Sequence, residues 1–301
     1  MDWNAELEAL VREKPEDDSV WAVLEDWTLE RGGLRARIIE RLQAGDDRGT
    51  QEAIWDLERE FYGVHHKEFS LAINSSWRAG YLVRCWLKGR PGGRAALLDR
   101  VLSLRCSALM TRLHADLDAP GELPPLMEKL RGTSLRELAL NAYWKPTLPV
   151  VFEPSMLEPL RIERLHLMSR AMSLPYGEPV ARLTELWITP GSPDDLRSLF
   201  APVGGFPELT ELAVYGRTLE HRNGIHAEPF DRILNGAATP ALKRLHVREV
   251  SEVYQAELIE AVAASPLLPG LEKFSFSYDS LDLEKVPARH RAAFAHLERL
   301  E

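Results

Sequence analysis

Leu183-Thr-Glu-Leu186-Trp-Ile188 and Leu209-Thr-Glu-Leu212-Ala-Val214 are two writings of one six-residue phrase, and that phrase decides how the chain is read. It recurs as Leu135-Arg-Glu-Leu138-Ala-Leu140, Ile162-Glu-Arg-Leu165-His-Leu167, Leu242-Lys-Arg-Leu245-His-Val247 and Leu271-Glu-Lys-Phe274-Ser-Phe276. A degraded copy starts at Met110 and a truncated one at Leu297, so successive starts lie 25, 27, 21, 26, 33, 29 and 26 residues apart. Apolar residues hold the first, fourth and sixth places in phase. Since side chains alternate faces along a strand, the fourth and sixth residues point to one side and their neighbours to the other. The phrase therefore predicts a short strand, repeated, whose leucines share one buried spine.

A phrase of this form, recurring every 20 to 30 residues or so, resembles the leucine-rich repeat. The resemblance implies an α/β solenoid over 108–301. A curved parallel sheet would line its concave side, with helices and irregular turns on the convex side. Apolar spacing predicts return helices over Asp194–Pro202, Glu228–Ala238 and Val253–Ala264, while the prolines of 145–159 and 175–181 predict irregular returns. The place after the third apolar residue holds asparagine only at Asn141, so no continuous asparagine ladder is expected. The longest step brings an insertion over 218–229 that carries His221, Asn223, Gly224 and His226. Residues 288–300 are rich in alanine and arginine and predict a closing helix, so the last copy is expected to be a false one.

Ahead of the repeats, residues 1–62 predict a small all-α domain. Apolar residues share a face at Leu7, Leu10 and Val11, at Val20, Val23, Leu24 and Trp27, at Ile38, Ile39 and Leu42, and at Ile54, Leu57 and Phe61. Ser19 or Asp18 is the expected cap of the second helix, Gly32-Gly33 its end, and Thr50 the cap of the fourth. Within this region Asp26, Trp27, Gly32, Arg35, Leu42 and Gln43 resemble the repeat-companion domain that precedes repeat arrays in some bacteria. The likeness covers about forty residues and departs at Gly33, Ala36 and Arg37. It implies a repeat protein downstream and carries no established activity with it. Asp26 and Arg35 are expected to bond across the helix pair. Residues 63–107 read as a connecting and capping segment, with a strand placing Tyr81, Val83, Cys85 and Leu87 on one side and a helix over Arg94–Leu104. Such a unit would keep the first apolar layer of a solenoid dry.

The 301 residues are 45% hydrophobic, enough to bury a sizeable core, and contain no apolar run of membrane-spanning length. The start, Met1-Asp-Trp-Asn-Ala-Glu, lacks the pattern of a secretory signal, so a cytoplasmic protein is expected. Cys85 and Cys106, the two cysteines, read as small buried hydrophobes. Residues 1–60 carry 17 acidic and 8 basic side chains, which accounts for the whole net charge of −9 and leaves residues 61–301 neutral as a whole. Neither part has the basic excess that nucleic acid or an anionic membrane favours, so neither is an expected partner.

Searching for chemistry yields no zinc helix, nucleophile elbow, phosphate loop or dinucleotide fingerprint. No catalytic residue, metal or cofactor is expected. His65-His66 beside Glu68 read as surface or packing histidines. What remains is the outward face of the strands. Its first column reads Glu137, Arg164, Glu185, Glu211, Arg244 and Lys273; the second Ala139, His166, Trp187, Ala213, His246 and Ser275; the third Asn141, Met168, Thr189, Tyr215, Arg248 and Ser277. Tryptophan, tyrosine and arginine dominate interface hot spots. Arg164, His166, Glu185, Trp187, Glu211, Tyr215, Arg244, His246 and Arg248 are therefore the candidate binding residues for a partner protein on the concave face. An exposed Trp187 is the expected anchor. The change of sign along the first column favours a partner with a complementary pattern, and His166 and His246 predict pH sensitivity near 6.5. The expected function is a non-catalytic interaction scaffold. Two alternatives rest on less: regulation of a small GTPase, by analogy of architecture, and a hydrolase using His221 and His226.

Overall fold

The computed structural model describes residues 3–63, 72–88, 93–142, 150–151, 154–157, 160–168, 172–173, 182–190, 192–201, 205–215, 230–248, 250, 252–276, 279–280 and 286–297. Contacts divide the chain into two compact units, Met1–Leu138 and Ala139–Glu301.

The first unit begins with α1 (Ala5–Glu13), α2 (Asp18–Arg31), α3 (Gly33–Gln43) and α4 (Asp47–Tyr62). Asn4, Asp17 and Asp46 cap α1, α2 and α4 by accepting backbone N–H groups of the first turn. The expected caps Ser19, Asp18 and Thr50 lie inside their helices instead, because a carboxylate was available just upstream in each case. The hairpin β1 (Ile73–Arg78) and β2 (Tyr81–Leu87) follows, its two-residue turn made by Ala79 and Gly80, both at positive φ. That is the backbone twist a tight hairpin prefers. β1 was not foreseen, since Asn74, Ser75 and Ser76 interrupt its apolar pattern. β2 runs parallel to β3 (Arg112–Leu117), with Cys85 opposite Leu113. The helices α5 (Arg94–Ser103) and α6 (Leu123–Leu130) complete the unit.

The amino-terminal helices share their core with the hairpin: Val11, Trp21, Leu24 and Ile39 pack with Ala79, Tyr81 and Leu109. Arg35 does not bond to Asp26, which is exposed. Its Nε donates to the Ala79 carbonyl at 3.0 Å, and its guanidinium lies over the Trp3 and Tyr81 rings. The turn carbonyl left open by the hairpin captures it. Glu8, 1% exposed, accepts from Tyr81 Oη at 2.7 Å and from Arg105 and Arg12, so its buried charge is matched. Both cysteines are buried and free, and burial pushes the Cys106 thiol up to about 12.

β4 (Glu137–Ala142) crosses the division between the units. In the second unit β5 (Val150–Val151) pairs in parallel with β7 (Met172–Ser173). β6 (Arg164–Leu167), β8 (Glu185–Ile188), β9 (Glu211–Tyr215), β10 (Arg244–Arg248) and β11 (Lys273–Phe276) lie side by side in that order, all parallel. β12 (Asp279–Ser280) turns back antiparallel on β11. Registers are those the phrase predicts. Leu165, Leu186, Leu212, Leu245 and Phe274 stand opposite one another, as do Leu167, Ile188, Val214, Val247 and Phe276. All ten are buried, each stabilising by about 1.5–3 kcal/mol relative to exposure.

Where an asparagine ladder is missing, the second residue of the phrase does the joining. Its carbonyl accepts two N–H groups of the next strand: Glu163 O from Thr184 and Glu185, Thr184 O from Thr210 and Glu211, Thr210 O from Lys243 and Arg244, and Lys243 O from Glu272 and Lys273. The hydroxyls of Thr184 and Thr210 add bonds to Glu163 O and Thr184 O.

Helices lie between the strands at α7 (Pro154–Leu157), α8 (Pro193–Leu199), α9 (Asp231–Leu234) and α10 (Glu252–Ala263). The last three fall within the expected return helices or one residue outside them. Among the described residues the carboxyl-terminal stretch forms the four-residue α11 (Arg291–Phe294), with turns at 288–290 and 295–296 in place of the expected helix, and Leu297 lies in no strand. The insertion with His221 and His226, the pair His65-His66, and Ser277 lie outside the described residues.

Candidate functional site

The polar face of β6 and β8–β11 is built by strand register. His166 stands opposite Trp187, Trp187 opposite Ala213, Ala213 opposite His246, and His246 opposite Ser275. Arg164, Glu185, Glu211, Arg244 and Lys273 form the neighbouring column, and Tyr215 pairs with Arg248 in the third. All nine candidate residues therefore lie on one surface.

At its centre the Trp187 indole stacks on the His166 ring, with centroids 4.6 Å apart and planes 17° from parallel. The Arg248 guanidinium lies 4.8 Å from the indole centroid and 5.7 Å from that of Tyr215, and Nη1 donates to Tyr215 Oη at 3.3 Å. Neighbouring strands are about 4.8 Å apart, so Arg248 crosses the whole of β9 to reach β8. Ala213, between them, is too small to block it. Each cation–π contact contributes roughly 0.5–2 kcal/mol, depending on water exclusion.

The carboxylates are engaged within the face. Glu185 Oε1 accepts from His166 Nε2 at 2.8 Å, and Glu211 Oε2 lies 2.9 Å from Arg244 Nε. Burial acts to raise Glu185, but the bond to His166 and the charges of His166, Arg164 and Arg244 outweigh it and hold the carboxyl below its ordinary value.

Two expectations change. Trp187 is not freely exposed: His166 and Arg248 cover it, and its Nε1 is shielded from water with no hydrogen-bond partner among the described residues. His246 is 6% exposed, and its Nδ1 is bonded with Ser275 Oγ at 2.6 Å. Burial, with Lys273, Arg248 and Arg244 nearby, lowers it to about 4, so it does not titrate near 6.5.

No protein-family model matches the chain, and no curated protein matches it. A similar solved structure is the crystal structure of a Bacteroides fragilis protein determined as a structural-genomics target. It shares 17% identity over 67% of this chain and 61% of that one, with a TM-score of 0.48.

One arrangement in the first unit went unforeseen. Trp86 stacks on His114 with centroids 4.4 Å apart and planes 5° from parallel, and Lys88 lies 4.6 Å from the indole centroid. Trp86 Nε1 donates to Asp116 Oδ2 at 3.0 Å. The signal was in the sequence: outward positions of β2 and β3 are Arg84 and Trp86 opposite Arg112 and His114. Neither strand carries the full phrase, so the columns read from it stop short of them. Among the described residues no group of three or more His, Cys, Asp or Glu side chains is placed to hold a metal ion, and no helix is long and apolar enough to cross a membrane.

Proposed function

We propose that the second unit is a leucine-rich-repeat-type binding module, cytoplasmic and without catalysis of its own, that docks a partner protein on its polar sheet face. The observation that carries this reading is the Trp187 stack. An indole held between His166 and Arg248, with Tyr215 under the same guanidinium, is fixed before any partner arrives. Ordering such side chains on binding costs about 0.5–1.5 kcal/mol each when they are free, so a pre-set group keeps more of its contact energy. The regular leucine columns support the repeat reading, and the engaged carboxylates and imidazoles support a surface made for contact rather than proton transfer.

Capture from the native cell tests it, with the intact chain, Trp187→Ala and Arg248→Ala as baits of equal folded content by circular dichroism. A hot-spot indole is expected to cost about 2 kcal/mol on truncation, roughly thirtyfold in affinity. Undiminished capture by both variants rejects this face.

A further inference from the structure

Each unit carries a tryptophan–histidine stack, with the indole on the earlier strand in the first and on the later strand in the second. In the first, the Trp86 N–H is satisfied by the carboxylate of Asp116, the third-column residue of the adjacent strand. In the second, the third-column residues on either side are Met168 and Tyr215, neither a carboxylate, and the Trp187 N–H has no acceptor among the described residues. A buried unpaired donor is costly, and few persist without a reason.

On the same face Arg244 and Lys273 stand opposite each other on β10 and β11, and the described carboxylates of the first column in the second unit are Glu185 and Glu211. Both carboxylates are committed, to His166 and to Arg244. Lys273 makes no hydrogen bond or ion pair among the described residues, and the Arg244 side chain keeps 48% of its exposure despite its ion pair. The two carboxylates of the first column are thus engaged internally, and the cations left turned outward are Arg244 and Lys273, on β10 and β11. Burial first, and then Lys273, Arg248 and Arg244, lower the proton affinity of His246 on this face.

We infer that this face, on the docking reading above, takes an acidic peptide segment, its carboxylates seated at Arg244, Arg248 and Lys273 beside the Trp187 N–H. A carboxylate drawing the Arg248 guanidinium towards itself uncovers that N–H and gives it the acceptor that Asp116 gives Trp86. A nucleic acid fits less well. Its phosphates demand a continuous basic track, whereas Glu185 and Glu211 interrupt this one.

The test is a displayed random-peptide library selected on the full chain and counter-selected on Trp187→Ala. Enriched peptides are then measured by fluorescence anisotropy at low and high salt against the wild type and Lys273→Glu, a side chain without a partner to lose. The expected result is enrichment of Asp and Glu, at least tenfold weaker binding to Lys273→Glu, and several-fold weakening by salt. Enriched peptides that are neutral or basic, or that ignore Lys273→Glu and salt, overturn the acidic inference while leaving the docking face standing. Failure to enrich any Trp187-dependent peptide rejects the docking reading itself. Tight binding of a labelled single-stranded oligonucleotide, weakened by Lys273→Glu, overturns the peptide in favour of nucleic acid.

Discussion

Acidification is expected to destabilise the second unit through His246 well before its carboxylates protonate. The ring is buried against Ser275 Oγ, and burial together with Lys273, Arg248 and Arg244 outweighs the attraction of Glu185 and of Glu211, whose Oε1 lies 3.8 Å from Nε2. Its folded value of about 4 lies below the ordinary 6.5. An unfolded chain therefore takes up a proton near pH 6.5 that the folded chain refuses. The stabilisation from a neutral His246 is complete above pH 6.5 and is lost as the pH falls from there towards 4. At 1.36 kcal/mol per pKa unit, the loss reaches about 3 kcal/mol by pH 4. Urea unfolding followed by tryptophan fluorescence from pH 7.5 to 4.5 measures it, with His246→Asn as the reference. Asparagine keeps a polar atom near the Nδ1 position for Ser275 but does not titrate. The stability of the wild type should fall more steeply than that of the variant across this range. Parallel curves would refute the burial argument.

Two further outcomes concern the first unit. Gly80 sits at φ +71°, and a Cβ there would lie 2.2 Å from Arg35 Cγ. Gly80→Ala is expected to cost about 2–4 kcal/mol, by backbone strain and by dislodging a buried guanidinium; an unchanged Tm would sink the claim that this turn and Arg35 are locked together. Glu8→Ala removes the acceptor of the buried Tyr81 hydroxyl and the partner of Arg105. Arg105 is 42% exposed and regains water, so the expected cost is about 2–3 kcal/mol rather than that of a fully buried pair. Chemical denaturation reads it, and a loss under 1 kcal/mol would contradict the network.

The strands were legible because two signals agree at each of them. The six-residue phrase fixes where a strand lies, and alternation fixes which side chains face inward, so the registers from Leu165 to Phe274 follow from the text alone. Helix starts were legible to within a turn. What the sequence hid depends on partners far along the chain. His246 reads as an ordinary surface imidazole until Ser275, 29 residues on, and three surrounding cations are placed around it. Arg35 reads as a partner for Asp26 until the Ala79 carbonyl turns out to be nearer. The strand β1 was hidden for a local reason, a run of asparagine and serine in an otherwise apolar element.

Ala213 shows how a residue with no functional group can govern a site. It occupies an outward position between Trp187 and His246 and is fully buried. A strand surface bearing a large side chain there would hold the neighbouring rings apart and bar Arg248 from the indole, since that contact passes over β9. With alanine the guanidinium crosses, and two strands that are not hydrogen-bonded to each other are joined by a stack. The same small residue explains why the candidate anchor is less exposed than its outward position implied: room at Ala213 lets its neighbours close over Trp187. Covering the ring leaves its N–H without an acceptor among the described residues, so the feature that hides the anchor also creates the demand a carboxylate can meet.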